Sequence, residues 1–487
     1  MRTKLTASHV IGHDGSGHVI YPGGEVVFEN DRILHVGWQF DGTVDRTVDY
    51  GDAIIGPGFI DLDALGDLDT TVLSVDNGPE WKIGRVWSED YLRSGPVEAY
   101  SFDEQIFKYR YAFTQLIRNG ITTALPITSM LYRAWAESYA EFAEVALVAG
   151  EVGIRAYLGP CFMSGLTYVD KAGKLHQHWD EERGRSGLDD AVRFFTDFDG
   201  TQDGRIRGFF APDRIETCTP ALLGRLAGIL RETGARFRLH CCQSSYDFET
   251  VLSLRGATPL GWLQQLGLLG SQAILPHGIY LSGHPKVSVT GNADIERLAD
   301  SGASIAHCPI VFARDGEALN SFAAYLDRGI NIGLGTDTFP ADIVENMRHG
   351  LNLSHLMSGA REAKAADFYN AATLGGARAL GRDDLGRLAA GARADITVFA
   401  LGGFHLGQFI DPIKTMVLSG SGRDFRDVYI DGRHVMADGQ VVGADYTALT
   451  AQAARQFEKA ILTHQERAVG RPPLAEMFKS SFPIQRP

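Results

Sequence analysis

Ile55-Gly-Pro-Gly-Phe-Ile-Asp61-Leu62-Asp63 marks the point where the chain changes character. Upstream lie short apolar runs: His18-Val-Ile-Tyr21, Glu25-Val-Val-Phe-Glu29 and Arg32-Ile-Leu-His-Val36. The turn signals Asp14-Gly15, Gly23-Gly24 and Asn30-Asp31 cut them apart, and no helical period runs through them. Downstream, short apolar runs alternate with longer stretches of helical period. Eight runs read as strands: Ala53–Ile60, Ile121–Pro126, Gly153–Gly159, Ile206–Ala211, Phe237–His240, Ala273–His277, Ala303–His307 and Ile330–Gly335. Between them, Phe102–Asn119, Arg133–Ala149, Pro220–Glu232 and Asn292–Ser301 read as amphipathic helices. Eight strands in such alternation predict parallel pairing closed into a (β/α)8 barrel. The alternative, an open doubly wound sheet, is weakened because no G-x-G-x-x-G follows an early strand.

Past about residue 385 the strand pattern returns in Asp395–Phe399, Thr415–Leu418, Asp427–Ile430 and Gln440–Val442. A helix over Thr447–Arg467 then precedes a Pro-containing tail. Neither β-rich end has enough strands to close a core alone, so the two are expected to pack together. The division that follows is 1–55 as the N-terminal part of a small β-sandwich and 56–385 as the barrel. Residues 386–445 form the C-terminal part of the sandwich, and 446–487 the last helix and tail. Two insertions follow barrel strands. Residues 64–101 carry Trp81, Trp87 and Tyr91, and residues 160–200 carry His176, His178 and Trp179. Long loops at the C-terminal mouth of a barrel shape the substrate pocket, which makes Trp87 a candidate contact. Packing of these aromatics against the rim is the plainer alternative.

The composition is that of a globular protein, with 44% hydrophobic and 22% charged residues among 487. A formal net charge of −14 argues against a nucleic-acid or anionic-membrane surface. The segment MRTKLTASHVIGHDG has no apolar signal region, and no run is long enough to span a membrane. Five cysteines with no C-x-x-C pair argue against a disulfide framework and a thiolate zinc site. A cytoplasmic location is expected.

Side chains at the C-terminal strand ends of a barrel converge on one point. Those positions hold Asp63, His240, His277, His307 and Asp337. Imidazoles and carboxylates meeting there suit a divalent cation such as Zn²⁺, which would acidify water and polarise a C–N centre.

The same segments resemble the amidohydrolase superfamily, within it the cytosine-deaminase and triazine-hydrolase-like branch. They are Ile55–Asp61, Gly120-Ile-Thr-Thr-Ala124, Leu239-His-Cys-Cys-Gln243, Leu275-Pro-His-Gly278, His307-Cys-Pro309, Gly333-Leu-Gly-Thr-Asp337 and Leu385–Phe399, in the family's order. The resemblance implies that His240 is the strand-5 metal ligand. It makes His277 the strand-6 histidine that meets water or substrate. Asp337 becomes the strand-8 aspartate that binds metal and acts as base. It also implies a small-molecule substrate, a C–N bond as the target, and a homodimer.

Two positions depart from the family pattern. Where it places a His-x-His pair, this chain has Asp63 and Leu65. Leu65 ligates nothing, whereas Asp63 offers a carboxylate oxygen to Zn²⁺, Fe²⁺ or Mn²⁺. The expected metal set is then Asp63, His240 and Asp337, with His277 as a further ligand. Where the pattern places a proton-shuttling glutamate, this chain has Gln243, which can bind substrate but not transfer that proton. Asp337 and His277 are the expected catalytic pair; Gln243, His307 and Trp87 are the expected substrate contacts. Three readings stay open: a hydrolase with a noncanonical mononuclear metal site, a metal-independent lyase, decarboxylase or isomerase, and a non-catalytic binding protein. Near strand 1, Asp61 reads as a structural hydrogen-bond acceptor and Asp67 and Asp69 as solvated loop residues. Cys241 and Cys242 read as small core residues.

Overall fold

The computed structural model describes residues 1–408 and 411–485. Its centre is an eight-stranded parallel barrel, here labelled β1 Phe59–Leu65, β2 Ile121–Ile127, β3 Arg155–Leu158, β4 Ile206–Gly208, β5 Phe237–Arg238, β6 Ala273–Pro276, β7 Ser304–His307 and β8 Asn331–Leu334. Their order is β4-β3-β2-β1-β8-β7-β6-β5. Parallel bridges Phe210 to Phe237 and Arg214 to His240 join β4 to β5 and close the ring. Helices cover the outside. Phe102–Arg118 begins with a Ser101/Glu104 capping box and buries Phe113, Leu116 and Ile117 completely. Each of those side chains contributes about 1.5–3 kcal/mol by leaving water.

The first barrel strand is not the run expected from the sequence. Ala53–Pro57 belongs to the flanking sheet, where it pairs antiparallel with Ile396–Ala400. Pro57 has no N–H to continue a ladder. Gly58 then lets the chain pass within reach of Thr122, where a Cβ would lie 2.0 Å from its Oγ1. Barrel strand β1 starts at Phe59. A second correction concerns Thr415–Leu418, which is part of a helix, Pro412–Ser419. Asp411 caps it by accepting from the Ile413 and Lys414 amides, and Pro412 stands at its first turn, signals that outweigh the β-like composition. The helix expected from Arg133 begins instead at Tyr139, capped by Ser138.

Strands from both chain ends build the flanking unit. A seven-stranded sheet runs Gln440–Val441, Arg433–Ala437, Phe425–Ile430, Ile396–Ala400, Ala53–Pro57, His9–His13 and His18–Pro22. A four-stranded sheet of Arg32–Gly37, Glu25–Glu29, Arg2–Thr6 and Arg46–Asp49 faces it. Leu5, Val26, Phe28, Val10, Ile55, Ile396 and Val398 form the core between them. The two long insertions meet above the barrel. The hairpin Gly165–Val169/Leu175–Trp179 takes Trp87–Ser88 as a third, parallel strand, with Tyr168 opposite Trp87. Among the described residues no helix is long and apolar enough to cross a membrane.

Candidate metal centre and cavity

Asp63 lies on β1 and is fully buried. Its carboxylate meets Arg238 and His240 from the opposite side of the ring and Cys308 from the end of β7. A side chain on β1 can touch all three only by pointing into the barrel. His240 Nε2 is 3.6 Å from Asp63 Oδ2, and His277 Nε2 is 4.0 Å from Asp337 Oδ2. Potential ligand atoms of Asp63, His277, Cys308 and Asp337 all lie within 4.8 Å of one another. His277 and Asp337 take left-handed backbone angles, φ 75° and 49°, a conformation that non-glycine residues keep only where surrounding structure holds it. The His277 amide donates to Ala306 O, and the Asp337 amide to Asp63 O.

The free atoms of this group test whether it suits a divalent cation. Both ring nitrogens of His277 are buried without a hydrogen-bond partner. Such atoms are rare in a folded interior unless something else takes them. Burial holds His277 well below its ordinary value, so its ring is neutral and able to ligate. Burial and the Asp63 charge push Asp337 well above the carboxylate range. At Asp63, burial works upward too, but the His240 and Arg238 charges outweigh it and hold that carboxyl at about 2. Two carboxylates so close do not both ionise without a cation near them. His240 Nδ1 lies 2.9 Å from Asp213 O, which fixes the ring and leaves Nε2 facing the cluster. The donor set therefore fits a divalent metal ion.

Above the centre opens a cavity of about 670 Å³ whose wall includes His240 and Asp337. Trp87 and Gln243 also line it. Trp87 is held by its indole N–H on Leu131 O, 3.3 Å away, and by an edge contact with Tyr91. Gln243 Oε1 accepts from the guanidinium of Arg214, another wall residue. His307 is outside the wall: it is buried at the end of β7, its ring 5.9 Å from Phe322, and burial lowers it to about 4. Leu65 lines the cavity and, as expected, offers no ligand atom.

The residues around β1 also correct the sequence reading. Asp61 is the structural acceptor expected, taking the Thr336 hydroxyl at 2.6 Å and the Thr336 amide at 3.0 Å. Asp67 is not a solvated loop residue: it is buried against Lys108, 3.1 Å from its Nζ. Asp69 accepts from Thr338 Oγ1 and the Phe339 amide, tying the loop after β1 to the loop after β8. Cys241 and Cys242 are core residues. The thiol that reaches the cluster is Cys308, and the sequence reading missed it. It also missed Arg238, although Arg238 and His240 stand two apart on one strand and so share a face. Arg214 and Glu216, in the loop after β4, carried no periodic signal.

A barrel with metal-donor side chains at its strand ends, flanked by a β-sandwich, defines the class. The chain belongs to the amidohydrolase family, whose model matches residues 103–435. It is 29% identical over 436 residues to a 5-methylthioadenosine/S-adenosylhomocysteine deaminase of Natronomonas pharaonis, covering 88% of this chain and 91% of that one. A 5′-deoxyadenosine deaminase of Methanosarcina mazei is 25% identical, covering 90% and 94%. Among solved structures, a zinc-bound adenosine deaminase from Xanthomonas campestris superposes with a TM-score of 0.78 at 21% identity, covering 95% and 98%. The zinc complex of atrazine chlorohydrolase from Arthrobacter aurescens does so with 0.76 at 20% identity, covering 93% and 99%.

Proposed function

We propose that this protein hydrolyses a C–N bond of a small nitrogen heterocycle, releasing an amine or ammonia from a ring carbon. The observation that supports it most is the donor cluster of Asp63, His277, Cys308 and Asp337 at the base of a cavity that His240 and Asp337 themselves help to line. The names of the relatives point the same way, since they are deaminases of adenine nucleosides. Asp63, His240 and Asp337 would hold the metal, with His277 and Cys308 completing the donor set. Zinc is the ion we assign, on the neutral imidazole, thiol and carboxylate donors. When bound it supplies Lewis acidity toward the attacked centre and toward water.

The chain's own residues do the rest. With a cation beside it Asp337 would be ionised, and it would then take a proton from the attacking water as the new C–O bond forms. His277, neutral and buried, orients the reacting group from the other side. Gln243, whose Oε1 is held by Arg214, keeps its amide N–H to donate to the heterocycle. Trp87 offers a flat apolar face on the cavity wall. We also propose the domain limits expected from the sequence, 1–55, 56–385, 386–445 and 446–487, with the first boundary moved to Pro57-Gly58 where the flanking strand ends.

The test uses protein purified without chelator. Elemental analysis is expected to find roughly one divalent ion per chain, by the one donor cluster among the described residues. Ammonia release is then measured with 5′-methylthioadenosine, S-adenosylhomocysteine, 5′-deoxyadenosine and adenosine. Metal-free protein with full activity in chelator would overturn the metal-dependent reading.

A further inference from the structure

We propose that Glu216, and not the residue at position 243, carries the proton that the leaving nitrogen takes. The inference rests on the hydrolytic reading above and names a group that the reaction needs and that Gln243 cannot supply. An amide neither releases nor accepts a proton in the working range.

Glu216 lies in the short 3₁₀ turn Ile215–Thr217 that follows β4, and it lines the same cavity as His240, Gln243 and Asp337. Its place is fixed on both sides. The Ile215 amide donates to His240 O at 3.0 Å, and the Ser164 amide donates to Thr217 O at 3.1 Å. The carboxyl is thus one residue from a backbone bonded to the end of the strand that carries His240.

Other carboxylates on the wall are engaged. Asp67 pairs with Lys108, Asp69 accepts from Thr338 and the Phe339 amide, Asp213 accepts from Thr217 Oγ1, Glu317 pairs with Lys286, and Asp315 too has a partner. Asp337 belongs to the donor cluster. Glu216 is buried, and the charges that face it come from two elements. Asp247, on the helix Ser245–Arg255, repels its ionised form, as does Asp213 on its own loop; Arg214 attracts it. Burial and Asp247 together raise it to about 8, so the carboxyl holds its proton at neutral pH. A general acid works best when its pKa lies near the working pH.

The water oxygen bonds to the ring carbon, its proton goes to Asp337, and the C=N pair moves to the ring nitrogen. That pair then re-forms the double bond, and the C–N bond to the leaving group breaks with its electrons on the departing nitrogen. This nitrogen takes the proton of Glu216 and leaves as the neutral amine. The ring keeps a hydroxyl group, which tautomerises to the carbonyl. Exchange with solvent returns a proton to Glu216 and removes one from Asp337.

The test compares Glu216→Gln, Gln243→Glu and the double variant, each loaded with metal, with the nucleoside of the panel that wild type turns over. Wild type is expected to lose rate above about pH 8, and Glu216→Gln is expected to lose about 100-fold or more in kcat together with that fall. The double variant, with a carboxyl restored at position 243, is expected to regain at least about tenfold. Infrared difference spectra across the alkaline range supply a reading that needs no substrate. Wild type is expected to lose a protonated-carboxyl band that Glu216→Gln never shows. An identical band change in both proteins, or wild-type kcat in Glu216→Gln, would overturn the proposal. The two failures separate, because a wild type inert on all four nucleosides counts against the hydrolytic reading, while the infrared band reports on Glu216 alone.

Discussion

Arg238 Nε stands 3.3 Å from Asp63 Oδ1 inside the barrel, both side chains buried. The guanidinium crosses from β5 to the far side of the ring, where it also donates to Leu125 O and Pro126 O at the end of β2. A fixed positive charge therefore sits beside the residue that replaces the first of the family's paired strand-1 histidines. Arg238→Met removes the guanidinium that, together with His240, balances the buried Asp63 charge. Removing one partner of a buried pair costs about 3–5 kcal/mol. Urea unfolding is expected to show a loss of that size. The double variant Arg238→Met/Asp63→Leu should recover part of it, while isothermal titration shows no binding of Zn²⁺ at the centre. A single variant as stable as wild type would mean that the pair contributes nothing to holding Asp63.

In the proposed centre Cys308 would set the choice of metal. Its Sγ is 3.8 Å from Asp63 Oδ2. Burial and the carboxylates of Asp63 and Asp337 hold the thiol well above its ordinary value, so it ionises only when a cation takes it. Thiolate favours soft ions, and a hydroxyl favours hard ones. Cys308→Ser is expected to weaken Zn²⁺ binding by tenfold or more, roughly, and to leave Mn²⁺ within about threefold. Competition titration of the metal-stripped protein checks this, and an equal loss for both ions would remove Cys308 from the donor set.

Much of this centre was legible because a barrel sends strand-end side chains to one place. His240, His277 and Asp337 follow from their position alone. Arg238 was legible in principle, as it shares a face with His240, but a charged residue inside a two-residue strand reads first as a surface residue. Glu216 was not legible. It lies in a 3₁₀ turn with no apolar period, and its burial comes from a neighbouring helix that only the fold brings there. The pairing of Trp87 with the hairpin beyond residue 160 was hidden for the same reason, since a strand of two residues has no pattern of its own. The true start of β1 was written in Pro57-Gly58, which ends one sheet and admits the chain to the next.

Asp384 joins the two β-rich ends to the barrel through three arginines. Its carboxylate takes Arg382 Nε at 2.7 Å, Arg32 at 3.2 Å and Arg393 at 3.5 Å. These charges and hydrogen bonds overcome the effect of burial and hold it at about 2. The folded value lies below the unfolded one. The stabilisation is therefore present above about pH 4 and is lost as the pH falls through about 2. Solvent screening of this partly exposed network reduces its worth to on the order of 1 kcal/mol at neutral pH. Asp384→Asn is expected to lower neutral-pH stability by that amount and to flatten the acid limb of the unfolding free energy. A variant that keeps the wild-type acid limb would assign that limb to other carboxylates.

The helix Tyr446–Arg467 braces the cavity wall through its final turns. His464 Nδ1 lies 2.7 Å from Ile83 O and Nε2 lies 3.1 Å from Tyr132 Oη. Arg467 donates to Gly84 O at 3.1 Å and to Leu131 O at 3.2 Å. These carbonyls belong to the segments that place Arg85, Trp87 and Leu131 on the cavity wall. Burial and the Arg467 charge hold His464 at about 3, so it docks as the neutral ring. Its folded value is below the unfolded one, so its contribution is complete above about pH 6.5 and declines as the pH falls toward about 3. Hydrogen exchange of residues 83–87 is expected to quicken on acidification from about pH 6.5 to about 4.5 beyond the intrinsic change, and to do so much less in His464→Gln. Equal quickening in both proteins would release His464 from this role. Arg467→Met is expected to raise KM several-fold with little change in kcat, because it loosens a wall that binds substrate and leaves the donor cluster intact.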